Sequence, residues 1–221
     1  MIDSLDTAQL IALAAALGWA SGLRLYLVLA LTGIAGATGF VQLPPGLQVL
    51  QTPLFIGAAV FMLAMEFFAD KIPGVDTLWD LVHTVIRIPA GAALAAAVFG
   101  SDHATWAAVA ALLGGTLAAT AHVSKATTRA AVNTSPEPFS NIGLSLLEDG
   151  LVPAALWLSV AHPLAFFVAL ACALVLMVAL TWMLSKFLRA LWRRLRGEPE
   201  RRPTPTAPPS GRGLTQARGP Q

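Results

Sequence analysis

Six apolar blocks, each near the length needed to cross a bilayer, constrain this chain more than any other feature. They fall at about residues 8–38, 53–70, 76–100, 104–130, 139–161 and 163–187. A helix needs roughly 20 apolar residues to span the hydrocarbon, and blocks this long differ from the short alternating runs of a soluble core. Only 12% of the residues are charged, about half of what a soluble domain uses to wet its surface. The expected fold is all-α: a polytopic helical membrane protein of about six transmembrane helices in one domain, residues 1–190. The first block opens with Asp3 and Asp6 instead of a basic stretch, so it reads as part of the fold and not as a secretory signal.

Charge is divided unevenly along the chain. From Lys186 onward nine Lys and Arg face two Glu, a net of +7, while five bases face ten acids in the rest, a net of −5. The basic cluster directly follows an apolar span, which points to anionic lipid head groups as its partner and not to nucleic acid. Residues 191–221 are rich in Pro and Arg and poor in apolar residues, the composition of a disordered tail. Lys71, Lys125 and Arg129 fall in the loops expected on the same side as this tail, and the opposite loops at 39–52, 101–103 and 162–163 hold no Lys or Arg. With six spans, that distribution puts both termini in the cytoplasm. Trp106, Trp157 and Trp182 lie near span ends, where interfacial indoles belong. The single cysteine, Cys172, sits in an apolar block and reads as a small packed hydrophobe with no disulfide to make.

The first block is too long for a simple span, reaching about 45 Å as one helix against a hydrocarbon core of about 30 Å. Gly18, Ser21 and Gly22 interrupt it, and a break there predicts an interfacial or re-entrant piece followed by a span from about Leu23. The alternative is one long tilted helix with Arg24 facing a neighbour. Blocks two and three, and blocks four and five, also read as two similar helical hairpins. Setting Pro73 on Pro138 places Asp76 on Asn141, Asp80 on Ser145 and His83 on Glu148, with Pro89 or Pro153 following.

Ionisable residues at bilayer depth are costly and should face protein or water. Asp76, Asp80, His83 and Arg87 are spaced by four, three and four, so they share one face of the third helix. Glu66 and Asp70 are four apart on the second helix. His122, Lys125 and Arg129 form a matching row on the fourth, and Asn141, Ser145, Glu148 and Asp149 mark the start of the fifth. With Arg24, these residues form a candidate substrate- or ion-binding cluster toward the cytoplasmic side. The expected complement is the acidic pair of helix two with the basic pair of helix four.

The strings Glu66-Phe67-Phe68-Ala69-Asp70-Lys71-Ile72-Pro73-Gly74-Val75-Asp76, Trp79-Asp80 with His83-Thr84 and Arg87, and Ser135-Pro136-Glu137-Pro138-Phe139-Ser140-Asn141 carry a resemblance. Together with Gly22-Leu23-Arg24-Leu25-Tyr26 and Glu148-Asp149, they resemble a bacterial membrane-protein family, domain of unknown function 4126, over about residues 10–160. The resemblance implies a helical fold in a bacterial inner membrane and implies no substrate.

Three functions fit these residues. A small-solute or ion transporter would use the acids as cation or proton sites and the bases as counter-charges or anion contacts. A non-catalytic scaffold would use the same charges to specify helix packing. An enzyme acting on lipid-linked substrates would need Asp76 and Asp80 to hold a divalent metal. No catalytic triad, zinc-protease pattern or Gly-rich nucleotide loop appears, so no cofactor is expected, and a metal is left open. Small-residue runs such as Ala90-Gly91-Ala92-Ala93 allow close helix contacts, within one chain or in a homo-oligomer.

Overall fold

The computed structural model describes residues 5–69, 72, 75–134 and 138–195, with the side chains of Asp76, Thr77, Asp80, Leu81, Pro138 and Leu195 outside the description. Asp70 and the tail beyond Leu195 therefore lie outside the described residues, as do the carboxylates of Asp76 and Asp80. Every apolar block is a helix: α1 (Thr7–Ala37), α2 (Pro53–Ala69), α3 (Val75–Ala97), α4 (Ala104–Val132), α5 (Pro138–Ala161) and α6 (Pro163–Leu195). A short 3-10 helix, Pro45–Gln51, precedes α2 and meets it at 70°. Among the described residues there is no strand, and the all-α polytopic fold stands as expected.

Local chemistry sets the helix ends. Asp6 caps α1 by accepting from the Gln9 amide at 2.8 Å, and the Gln9 side chain returns the bond to the Asp6 amide, satisfying two groups a bare helix start leaves open. The Gln9 amide group also donates to the Val160 carbonyl at 2.8 Å, fixing the start of α1 beside the end of α5. Gly100, with φ of +67°, follows α3 and lets the chain reverse into α4. Proline stands inside α3 at Pro89 and inside α5 at Pro153.

The path of α1 decides the architecture. The helix is interrupted at Arg24 (φ −143°, ψ 77°), not at the glycines before it, and there it doubles back. Leu13 from the first limb (residues 7–23) and Leu31, Thr32 and Ala35 from the second (residues 25–37) line one cavity of about 210 Å³ with Leu156 and Val160 of α5. In a straight helix Leu13 and Ala35 would be about 33 Å apart, too far to share it. Both ends of α1 therefore lie at one end of the bundle, here called the upper end. Leu5 and Leu10 line a second cavity there with Pro44 and the turn Val98–His103. The expectation of a re-entrant piece holds, but a full span after Leu23 does not. The start of α1 and the end of α6 consequently lie at opposite ends of the bundle, where six full crossings would have placed them together.

This hairpin is the core. In α1, 78% of the apolar window is buried, against 11–28% in α4, α5 and α6, so the outer helices present apolar surface outward. Cys172 is exposed on α6 and not packed inside. By length and composition α1, α4, α5 and α6 suffice to cross a membrane, the 3-10 helix with α2 makes a fifth if that bent pair is one span, and the apolar part of α3 is shorter, Val82–Ala97. The first limb of α1 packs tightly on α3 and α4. A Cβ on Gly18 would lie 2.6 Å from the Gly114 Cα, and one on Gly22 would collide with the Ala118 carbonyl. These glycines bring backbones together inside an unbroken limb. By contrast, α2 scarcely touches α3, and α4 scarcely touches α5, so neither expected hairpin is closed by packing.

Candidate functional site

The apex of α1 is buried between those two open hairpins, and the polar residues collect around and below it. Interrupting a helix strands carbonyls at the end of its first limb. One of them, Leu23 O, accepts from Lys125 Nζ at 2.9 Å, which also sets a positive charge at the negative end of the limb's dipole. Arg24, fully buried, reaches α5: its Nη2 is 2.5 Å from Ser145 Oγ, 3.3 Å from Ser145 O and 2.9 Å from Asp149 Oδ1. Ser145 and Asp149 are one helical turn apart, so a single guanidinium engages both.

Glu148 is the hub of this half. Its Oε2 lies 3.1 Å from Lys125 Nζ, 3.4 Å from Arg129 Nη2 and 3.6 Å from Arg24 Nε. Three bases from two helices thus converge on one oxygen of a carboxylate side chain that is about 5% exposed. Below it, Asn141 donates to Asn133 Oδ1 at 2.5 Å, tying the start of α5 to the end of α4. Asn141, Ser145 and Glu148 are all buried and fall on one face of α5 by their spacing.

The other half sits between α2 and α3. Glu66 and Arg87 form an ion pair with both side chains fully buried. Two residues past the apex, Tyr26 Oη lies 3.1 Å from His83 Nε2, and His83 Nδ1 lies 2.8 Å from the Trp79 carbonyl. A carbonyl only accepts, so Nδ1 carries a proton, and in the neutral ring Nε2 accepts from the tyrosine. Trp79 stacks on the imidazole at 4.2 Å between ring centres. His122 joins this side, with its Nε2 2.6 Å from Thr84 Oγ1.

The apex therefore sends Arg24 toward α4 and α5 and Tyr26 toward α2 and α3. Of the residues expected from the sequence, Arg24, Lys125, Arg129, Asn141, Glu148 and Asp149 meet in the first group. Glu66, His83, Arg87 and His122 meet in or beside the second. The expected pairing between helices two and four does not occur among the described residues: Glu66 takes Arg87 of α3, while Lys125 and Arg129 take Glu148 of α5. Each open hairpin is bridged by its own ion pair where apolar packing is missing. Sequence reasoning missed the Leu23 carbonyl as an acceptor and Tyr26 as the partner of His83. The second had a signal, since Tyr26 is the only tyrosine and lies two residues from Arg24.

Chemically, the first group is a shared-anion site. Protonating Glu148, or placing another anion on Lys125 and Arg129, would redistribute the bonds that hold the apex. Among the described residues no three His, Cys, Asp or Glu side chains converge as they would around a metal. No curated protein and no solved structure matches this chain. A family model, the domain of unknown function DUF4126, matches residues 11–183. That match covers the apex of the re-entrant hairpin and every residue of the polar network around it, and the chain belongs to the DUF4126 family.

Proposed function

We propose that this protein is a multi-pass carrier or permeation protein for a small ion or solute in a bacterial inner membrane. In this reading the basic lower end faces the cytoplasm. The observation that carries it is the break of a buried helix at Arg24, with stranded backbone and at least five charged side chains gathered where it turns. Irregular backbone is tolerated at membrane depth only where protein buries it or water lines it, and carriers build solute and ion sites from such broken helices. A charge there costs at least a few kcal/mol unless paired, so a network this dense needs a use. Glu148 would take the cation or proton, and Arg24, Lys125 and Arg129 would exchange it for an anionic group.

The purified full chain in liposomes, assayed for proton, ion and small-solute flux across a broad panel, tests this. Flux above empty liposomes is expected, with Glu148→Gln lowering it about tenfold or more, the loss that follows when a charged group central to a step is removed. No flux on any panel member, or equal flux in the variant, would sink the reading. The closure of Glu66 on Arg87, both fully buried, favours a second reading in which the charges only specify packing. It would gain if function in cells survived Glu148→Gln.

A further inference from the structure

Helix α6 outruns the membrane, and what lies past the edge is ordered. It has 33 residues, about 50 Å, against a hydrocarbon core of about 30 Å. Starting from Pro163 at the upper end, the hydrocarbon is used up near Trp182, about 28 Å along. Trp182 is 61% exposed, as an interfacial indole would be. Beyond it, Lys186, Arg189 and Arg193 follow at spacings of four, three and four, on the same face as Trp182. All three are exposed, whereas Leu184, Leu188 and Leu191 on the other side are partly buried. The Lys186 ammonium sits 3.4 Å over the Trp182 ring, anchoring the first charge at the interface.

We infer that the face Trp182–Lys186–Arg189–Arg193 is a docking surface for the anionic phospholipid head groups of the leaflet at the lower end. Distance selects this occupant. Lys186 and Arg189 lie about 6 and 10 Å past Trp182 along the axis, within and at the outer edge of the head-group layer, and Arg193 is within about a Debye length of it. The helix leaves the bilayer carrying this stripe, so lipid phosphate is the first anion the stripe meets. The bases also have no acid on their own face: between Lys186 and Leu195 the sequence holds no Asp or Glu. The inference is independent of whether the protein transports anything.

The test uses the full chain in mixed micelles of equal parts phosphatidylglycerol and phosphatidylcholine, with retained lipids counted by native mass spectrometry. The wild type is expected to retain phosphatidylglycerol preferentially, and Lys186→Gln/Arg189→Gln/Arg193→Gln to lower that preference about threefold or more, since each base near the surface contributes separately. The tail variant Arg196→Gln/Arg201→Gln/Arg202→Gln should change it less, and high salt should weaken it in the wild type. Monodisperse elution and unchanged helicity in both variants keep misfolding from imitating the result. An unchanged preference in the stripe variant, or an effect confined to the tail variant, overturns the proposal. So does displacement of the lipid by glycerophosphate at equal concentration, which would mark a soluble-anion site. Loss of a co-purifying protein with no change in lipid retention would mark a protein-docking face instead and overturn it too.

Discussion

At Arg24 a fully buried guanidinium holds the turn of a helix, and it does so through a carboxylate shared with two other bases. Removing the hub leaves three cations competing for what remains. Glu148→Gln is therefore expected to destabilise the fold by about 3 kcal/mol, the usual loss when one member of a buried ionic group is removed, read as a lowered thermal midpoint in detergent. Asp149→Asn should cost clearly less, because that side chain is 26% exposed and water can take over part of its role. In the other half, Arg87→Met removes the guanidinium paired with the buried Glu66 carboxylate and should be as harmful as Glu148→Gln. The double variant Glu66→Gln/Arg87→Met should recover most of the loss, since exchanging a whole buried pair is often nearly neutral. A double variant no more stable than Arg87→Met would contradict this. At this scale the sequence was informative about faces and silent about partners. Spacing placed His83 and Arg87 on one side of α3, but helical periodicity does not say which neighbour a face meets, so Glu66 pairs with Arg87 of α3 and not with the basic pair of helix four, while Asp70 lies outside the described residues.

For the elements, the lesson lies in how glycine was read. In sequence Gly18 and Gly22 read as a break, and the structure uses them to bring the first limb's backbone against α4, with the break displaced to Arg24. Composition alone does not separate the two uses, because both need a missing Cβ. The distinction is testable: Gly18→Leu should prevent a stable fold, as its side chain has no room against Gly114. If Gly18 were only a flexible joint, Leu there would be tolerated or stabilising. The re-entrant path gives a second test. With Cys172 replaced by serine, single cysteines at Leu5 and Phe40 should react with a membrane-impermeant thiol reagent from the same side, and one at Ile72 from the other. Labelling of Leu5→Cys and Phe40→Cys from opposite sides would restore a full first span.

Across the whole molecule, the membrane assignment and the limits of the first five helices were legible, because apolar length is written directly in the sequence; α6 instead runs to Leu195, past the end of its apolar block near 187 and into residues expected to be disordered. Direction was not. Hydropathy is the same for a segment that crosses and one that returns, and the count of crossings sets the relation between the ends. The basic residues of the lower end and their absence from the upper loops favour a cytoplasmic lower end. Reporters fused before α1 and after α6 should then give opposite topology signals, with the C-terminal one cytoplasmic. Matching signals would contradict the fold-back of α1.

The buried hairpin also imposes an order on biogenesis. Arg24 leaves the ribosome long before Ser145, its partner 121 residues further along, and Glu148 follows only after that. At about 5–20 residues per second, the apex waits on the order of ten seconds for the carboxylates that make its charge tolerable. The apex can therefore settle only after α4 and α5 have been inserted. Until then it must be held at the membrane surface or by the insertion machinery, made before its partners and settled only after them.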